Sequence, residues 1–409
     1  MQKLPRPTSC TIFGRASASR LSRDPLTASA HQRPTLRLFL CGDVMLGRGI
    51  DQILPQPCDP ALHENYVQSA LEYVQLAEDA NGPIKRPVAP AYVWGAALDE
   101  LKQVEPDARI INLETSITRS EDFDPKGINY RMSPENAVAL AAAHIDCCGL
   151  SNNHILDWGR AGLLDTLTTL KRLRIKSAGA GRTLEEARAA ATLPISGKGR
   201  VLVFSFAAVT SGTPRNWAAA PGTAGINLLS DLSAATVDRT ADRIIRDRKP
   251  GDVIVVSIHW GPNWGYEVSD VQRRFAHALI DDAGVSIVHG HSSHHVKAIE
   301  VYHNRLILYG CGDFLNDYEG IHGHEDYRDD LAVMYFVDIA VTSGAVSGIE
   351  LIPLRIKQFQ LVPASASDTE WIQQTLDRES RHFAASVIMT ALGRLTVSST
   401  ATSEVDLIT

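Results

Sequence analysis

The chain has 409 residues, 44% of them hydrophobic, and a formal net charge of -7 at pH 7. This length and apolar content are enough to bury a large core in one or two domains. The acidic balance argues against a nucleic-acid binder that is held by phosphate neutralisation. No apolar run is long enough to cross a bilayer, so we expect a protein without a membrane span.

The two ends of the chain differ in composition from its middle. Residues 1–34 are rich in Ser, Arg and Pro and lack the apolar stretch of a secretory signal, so a disordered leader is predicted, with an organelle-targeting peptide as the alternative. Residues 391–409 are predicted to be a flexible tail, which leaves 35–390 as a single domain. The six cysteines contain no C-x-x-C pair, which favours a reducing, cytoplasmic location.

In the first half of the chain, three predicted strands end in polar residues. The strand 36–41 runs into Gly42-Asp43, the strand 108–113 ends at Glu114, and the run 145–150 ends in Asn152-Asn153-His154. Ligands of open α/β sheets bind at the carboxyl ends of such strands. The predicted helices of this half cover residues 61–80, 92–104, 161–173 and 183–191, and a further helix begins at Ser133-Pro134.

In the second half, two apolar runs predict buried parallel strands that end in histidine. Residues 253–258 lead to His259, and residues 285–288 lead to a segment with four histidines within seven residues, His289, His291, His294 and His295. A helix over 269–282 connects the two strands, so their imidazoles should share one rim of the sheet. Imidazole is a common protein ligand for zinc, iron, nickel and manganese. The pattern therefore predicts a metal site.

The remaining elements surround this pair of strands. A strand at 201–206 is followed by an irregular region, 209–227, of the length that often covers a substrate, and then by a helix over 232–247. A β-hairpin turns at His303-Asn304. Further strands are predicted near 331–340, 346–352 and 356–361, followed by a final helix.

Taken together, these motifs resemble the CapA family, the poly-γ-glutamate synthesis proteins that share the fold of calcineurin-like metallophosphoesterases. The matching motifs are Gly42-Asp43-Val44-Met45-Leu46-Gly47-Arg48, Asn112-Leu113-Glu114, Asn152-Asn153-His154 with Asp157 and Gly159, His259-Trp260-Gly261, and Gly290-His291-Ser292-Ser293-His294. They cover roughly residues 35 to 320. The resemblance implies an α/β fold, a four-layer α-β-β-α metallophosphoesterase-like sandwich.

The resemblance also implies a set of metal ligands. Asp43, Glu114 and His294 would hold one divalent ion, and Glu114 would bridge to a second ion held by Asn153, His259 and His291. The ligand types do not choose among Mn, Fe, Zn, Ni and Co. Phosphoesterases of this fold usually carry histidine where this chain has Met45, which implies a weaker site or a single ion.

The chain is similar in particular to the metal-dependent epimerases of lasso-peptide biosynthesis, which implies a peptide substrate inverted at a Cα centre. In this hypothesis His295 removes the α-hydrogen beside a metal-polarised carbonyl, and His154 acts as a second acid or base. The alternatives are hydrolysis of a phosphoester or an amide, with His154 as the acid, and a non-catalytic role in polymer assembly. Trp260, Trp264 and Tyr266 are candidates for lining a substrate cleft, with a role as anchors of their loop as the alternative.

Overall fold

Two β-sheets face each other in the structure, a computed structural model that describes residues 35–399. The helices in this range are α1 (Arg48–Ile53), α2 (Ala70–Asn81), α3 (Ala96–Val104), α4 (Val138–Ala142), α5 (Gly159–Arg172), α6 (Leu184–Arg188), α7 (Ala234–Asp247), α8 (Asp270–Ala283) and α9 (Ala366–Ser380). The strands are β1 (Thr35–Val44), β2 (Ala108–Leu113), β3 (Ser116–Ile117), β4 (Arg131–Met132), β5 (Cys147–Gly149), β6 (Lys176–Ala178), β7 (Ala180–Gly181), β8 (Ala191–Ile195), β9 (Gly199–Ala208), β10 (Gly225–Ile226), β11 (Leu228–Leu229), β12 (Val253–His259), β13 (Ile287–His291), β14 (Ile299–Tyr302), β15 (Arg305–Leu308), β16 (Asp313–Leu315), β17 (Leu331–Ala340), β18 (Ala345–Lys357), β19 (Gln360–Pro363), β20 (Ala385–Met389) and β21 (Leu395–Ser399).

Each large sheet has a parallel part, and these parts carry the polar strand ends. The first sheet has the order β20-β21-β18-β17-β1-β2-β5-β6, with β16 beside β1 and β19 beside β18. The second has the order β11-β9-β12-β13-β15-β14, with β8 beside β9. Strands β1, β2, β5 and β6 run parallel, as do β9, β12, β13 and β15. Parallel pairing gathers the carboxyl ends at one edge.

The alternation of side chains along the strands builds the layers. In β1, Leu38 and Leu40 point into the core between the sheets, whereas Phe39 points to the core under helices α1 to α5. In β12, Val255 points between the sheets and Val256 points toward α7 and α8. The order helices, sheet, sheet, helices is the four-layer α-β-β-α sandwich expected from the sequence.

Gly149, at the end of β5, lies where the two sheets approach each other closely. A Cβ atom at this position would stand 3.1 Å from Ser257 Oγ and 3.2 Å from Ser205 Oγ, both on the second sheet. A larger residue would therefore push the sheets apart at the edge that carries the polar strand ends. The close approach lets residues that follow β5 meet side chains from β12.

Several sequence-based boundaries are corrected by the structure. The helix predicted over 61–80 begins only at Ala70, where Ser69 and Glu72 form a capping box. The helix predicted over 92–104 is broken at Gly95, which has a φ of 42° and would place a Cβ 2.0 Å from Leu361 O.

The predicted flexible tail is also wrong in part. Residues Leu395–Ser399 form β21, which pairs with β18 and β20, and the Leu395 side chain is fully buried. The predicted leader, residues 1–34, and residues 400–409 lie outside the described part of the chain.

Candidate metal centre

The polar strand ends of both sheets meet at one place. Asp43 lies near the end of β1 and Glu114 directly follows β2, while His259 and His291 are the last residues of β12 and β13. His259 and His291 are direct neighbours in the register of these strands, as the sequence predicts. The four side chains are almost completely buried.

The two histidines contact each other and the first sheet. Their Nδ1 atoms lie 2.9 Å apart, and His259 Nε2 lies 3.0 Å from Asn153 Oδ1. The other nitrogen of His291 lies 2.8 Å from Ser257 Oγ. Asp43, His259 and His291 each offer one ligand atom, and these three atoms lie within 4.8 Å of one another.

Two carboxylates lie beside the histidine pair. Asn112 Nδ2 donates to Asp43 Oδ1 at 2.7 Å and to Glu114 Oε2 at 3.4 Å, and Glu114 Oε1 is 3.6 Å from His259 Nε2. Burial, followed by the charge of Asp313, raises the pKa of Asp43 to about 7. Burial and the charge of Asp43 raise the pKa of Glu114 well above its usual value.

This donor set fits a divalent cation. Burial lowers the pKa of both His259 and His291, which favours the neutral imidazole that metals bind. Two ring nitrogens, one amide oxygen and two carboxylates converge, and a cation among them would offset the repulsion between Asp43 and Glu114. The five residues that the resemblance assigned here, Asp43, Glu114, Asn153, His259 and His291, are brought together.

His294, which the resemblance places among the metal ligands, contacts a further carboxylate. Its Nδ1 lies 2.9 Å from Asp313 Oδ1, and in the described chain it forms no hydrogen bond with Asp43 or Glu114. Burial disfavours the charged ring, but the carboxylates of Asp313, Asp43 and Asp329 together outweigh it and raise the pKa of His294. Sequence reasoning missed Asp313, although its position directly after Gly310-Cys311-Gly312 marks it as another strand-edge acid. It is paired in register with Asp43.

His154 forms a pair with Asp157 at the side of this cluster. Its Nδ1 lies 2.7 Å from Asp157 Oδ2, and its Nε2 faces Glu114 Oε1 at 3.9 Å. Lys126 Nζ contacts Asp157 Oδ1 at 2.9 Å and lies 3.2 Å from His154 Nδ1. Burial lowers the pKa of His154 to about 4, and the charge of Asp157 opposes this shift.

A layer of two tyrosine rings, Tyr130 and Tyr318, connects His154 with His294. The Tyr130 ring packs edge-on against His154 and the Tyr318 ring edge-on against His294, and the two tyrosine hydroxyls are 2.8 Å apart. The guanidinium of Arg48 lies over the Tyr130 ring at 4.4 Å. This layer of rings was not predicted from the sequence, because its members lie far apart in the chain.

His295 lies among aromatic rings rather than among the cluster of acids and histidines. Trp264 stacks on it with ring centres 6.2 Å apart, and Tyr266 and Tyr327 pack at 4.7 and 4.6 Å. Its Nδ1 donates to Val296 O, and its Nε2 forms no hydrogen bond within the described residues. Burial lowers the pKa of His295 to about 4, although the backbone of Val296 and Gly265 favours the protonated ring.

The three aromatic residues predicted to line a cleft divide into two groups. Trp264 and Tyr266 are half-buried and cover His295. Trp260 is not a cleft residue, because its side chain is buried, packs on Phe275 and Tyr309, and donates through Nε1 to Tyr309 O.

Among residues 35–399, no helix combines the length and the apolar character that crossing a bilayer requires.

Comparison with known proteins bears on the same part of the chain. The family described as "Bacterial capsule synthesis protein PGA_cap" matches residues 37–318. A probable polyglutamine synthesis accessory protein of Mycobacterium tuberculosis is 46% identical over 353 residues, which cover 86% of this chain and 93% of that protein. The PGA biosynthesis protein CapA of Bacillus subtilis is 26% identical over 340 residues, 83% of this chain and 76% of that protein. A solved structure described as a novel phosphatase, from Mycoplasma pneumoniae, has a TM-score of 0.44 at 11% identity over 79% of this chain and 94% of that chain.

Proposed function

Because the chain belongs to the bacterial capsule synthesis protein PGA_cap family, we propose that it is a metal-dependent hydrolase that cleaves amide bonds of a glutamate polymer during polymer synthesis. The observation that carries this proposal is the His154–Asp157 pair, whose free ring nitrogen faces Glu114 at 3.9 Å beside the converging donor set. The name of one relative, which refers to PGA biosynthesis, supports the choice of polymer.

The residues that would hold the cation are Asp43, His259 and His291, with Glu114 and Asn153 completing the set. A divalent cation bound there would polarise a substrate oxygen and acidify a water molecule. Asn112 orients both carboxylates through one amide group, and Ser257 orients His291. Such outer partners fix the direction of the ligand atoms.

His154 is suited to move a proton. A carboxylate only accepts hydrogen bonds, so the Nδ1–H group of His154 donates to Asp157 and the lone pair of Nε2 points toward Glu114. In hydrolysis His154 would accept a proton at Nε2 from the attacking water and return it to the leaving amine. Lys126 Nζ contacts the other carboxylate oxygen of Asp157, Oδ1, and holds that carboxylate in place.

The second candidate is the peptide epimerase, in which a histidine removes a proton from Cα and returns it on the other face. The observation in its favour is the aromatic enclosure of His295, whose Nε2 makes no hydrogen bond within the described residues. His295 is only 1% exposed, so a substrate would have to displace the half-buried ring of Trp264 or Tyr266 to reach it. The hydrolase does not need such a movement, because the His154 ring is already at the donor set.

One experiment distinguishes the candidates. Purified protein supplemented with Mn²⁺ is incubated with poly-γ-glutamate in deuterated water, and the products are analysed by mass spectrometry. Hydrolysis gives shorter chains, and epimerisation gives chains of unchanged length that carry one deuterium per inverted centre. The variants His154→Ala and His295→Ala identify the responsible residue, and His277→Ala is the control. His277 also pairs with a carboxylate, Glu300, at 2.9 Å, but lies on α8 away from the donor set.

We expect chain shortening that requires the metal, is lost in His154→Ala and persists in His295→Ala and His277→Ala. Deuterium uptake without shortening, lost in His295→Ala, would replace the hydrolase with the epimerase. If a metal-loaded protein neither shortened nor labelled the polymer, both catalytic proposals would be rejected and the non-catalytic accessory role would remain.

A further inference from the structure

A basic groove lies at the edge of the first sheet, beside the edge strand β6. It has a volume of about 580 Å³ and is formed by the second half of α5, by β6 and by residues in and on both sides of α6. Its apolar part consists of Leu167, Ile175, Ala180 and Ala189, and its charged part consists of Lys171, Arg174, Lys176, Arg182 and Glu186. Four cations around an aliphatic surface are notable in a protein whose formal net charge is -7.

The positive charge of this groove is not neutralised by acidic side chains in the described part of the chain. The four basic side chains are exposed, and none of them forms an ion pair in the part of the chain that the structure describes. Arg182 uses one nitrogen in a long hydrogen bond to Thr168 Oγ1. The one acid, Glu186, accepts a hydrogen bond from the backbone nitrogen of Arg182 at 2.9 Å. At least three ammonium or guanidinium groups are therefore free to bind an anion.

We propose that this groove is a binding site for a polycarboxylate chain, an acidic polypeptide whose carboxylates pair with Lys171, Lys176 and Arg182. The exposed Ala189 and the aliphatic stems of the basic side chains would contact the methylene groups between the carboxylates and the polymer backbone. The proposal concerns binding alone. It shares the polymer with the proposed function but requires no chemistry at the donor set.

The composition of the groove favours a carboxylate polymer over a nucleic acid. Proteins that bind single-stranded nucleic acids combine basic grooves with aromatic side chains on which the bases stack. The residues that form this groove include no aromatic side chain. A chain of carboxylates needs only cations and an aliphatic surface, which is what this groove offers.

The position of the groove relates it to the candidate metal centre. Helix α5 starts at Gly159, two residues after Asp157, and its far end carries Lys171. Fourteen helical residues span about 21 Å, so the groove and the candidate metal centre lie toward opposite ends of one helix. A long polymer could occupy both places, whereas a short one could occupy only one.

The proposal is tested by binding rather than by turnover. Fluorescently labelled poly-L-glutamate of about 20 residues is titrated with the full chain at about 150 mM salt, where charges more than about 8 Å apart are largely screened. The test variant is Lys171→Glu with Lys176→Glu. The control variant is Lys85→Glu with Lys357→Glu, which changes the net charge equally at two exposed lysines that do not line the groove. His154→Ala is included, and unlabelled single-stranded DNA of equal length serves as competitor.

We expect the Lys171/Lys176 variant to bind at least about tenfold more weakly and the control variant to change by less than about threefold. His154→Ala should bind like the unchanged protein, so loss of turnover in that variant does not bear on the groove. Equal weakening in both double variants would show a non-specific charge effect and overturn the proposal. Stronger competition by DNA than by unlabelled poly-L-glutamate would overturn it in favour of a nucleic-acid groove.

Discussion

His294 and Asp313 form a close pair at the candidate metal centre, with His294 Nδ1 2.9 Å from Asp313 Oδ1. Asp313 stands beside Asp43 in the pairing of β16 with β1. Two donor groups therefore lie next to each other, one formed by Asp43, His259 and His291 and the other by His294 and Asp313. The first group has three converging ligand atoms, whereas in the second a single ring nitrogen of His294 contacts the carboxylate.

This difference predicts unequal effects on metal binding. Asp43→Asn and His291→Ala should weaken Mn²⁺ binding more than about 100-fold, because loss of a residue that only orients a ligand already costs about 10–100-fold. His294→Ala should have a smaller effect, since the ligand atoms that converge among the described residues belong to Asp43, His259 and His291 and not to His294. Equilibrium dialysis followed by elemental analysis measures the bound metal, with His277→Ala as the control. Full metal content in His291→Ala would contradict the assignment.

The sequence predicted that these side chains would meet, and it did so best where they follow buried parallel strands. His259 and His291 end two apolar runs that could be read as buried strands, and pairing in register made their rings neighbours. The contact between His294 and Asp313 could not be predicted from the sequence. It depends on β16, a strand of three residues that is recognisable only through its tertiary pairing. The break at Gly95 likewise arises from the distant backbone oxygen of Leu361.

Some predicted limits of helices and strands differ from the observed ones, and the reason differs from one element to another. Ser69 and Glu72 have the spacing of a capping box, which indicates the true start of α2. The helix was predicted to begin earlier because the apolar residues before Ser69 continue the helical spacing. The strands β20 and β21 were not predicted. They are stabilised by pairing with each other and with β18 rather than by a long apolar run of their own.

Arg48 should contribute strongly to stability. Its guanidinium donates to Asp317 Oδ2 at 3.1 Å and to Glu64 Oε1 at 2.9 Å, and all three side chains are almost fully buried. Arg48→Met would leave two buried carboxylates without their cation, which typically costs about 3–5 kcal/mol. Urea unfolding measures the difference. The matched change Arg119→Met breaks an exposed pair with Glu135 and should cost at most about 1 kcal/mol. Similar losses in both variants would contradict this prediction.

Lys297 should make the stability of the protein depend on pH in a defined direction. Burial lowers the pKa of Lys297 to about 8, whereas its pKa in the unfolded chain is about 10.4. Between these values the unfolded chain binds more protons, so the free energy of unfolding rises with pH as the folded lysine becomes neutral. Lys297→Met removes this contribution. Its stability relative to the unchanged protein should therefore be most favourable at pH 7 and decline toward pH 10.

The measurement is urea unfolding of both proteins at pH 7, 8.5 and 10. Lys297 Nζ also donates to Glu267 O at 2.6 Å, and loss of that bond shifts all three values by a similar amount. The slope with pH therefore identifies the effect of burial. Lys85→Met, at an exposed lysine, is the matched control. A flat profile for Lys297→Met would contradict the lowered pKa.

His295 allows a test that separates packing from catalysis. His295→Phe keeps a ring between Trp264, Tyr266 and Tyr327 and removes an Nε2 atom that has no hydrogen-bond partner within the described residues, although it also deprives Val296 O of its donor. These two effects oppose each other, so the free energy of unfolding should change by no more than about 1 kcal/mol. His295→Ala leaves a cavity among the rings and should cost about 2–4 kcal/mol. Denaturant unfolding followed by tryptophan fluorescence measures both.

The hydrolase predicts that His295→Phe retains turnover of poly-γ-glutamate, because the proton moves through His154. The epimerase predicts that deuterium uptake disappears, because phenylalanine cannot accept a proton, and a stable His295→Phe protein without any activity would exclude the hydrolase as proposed.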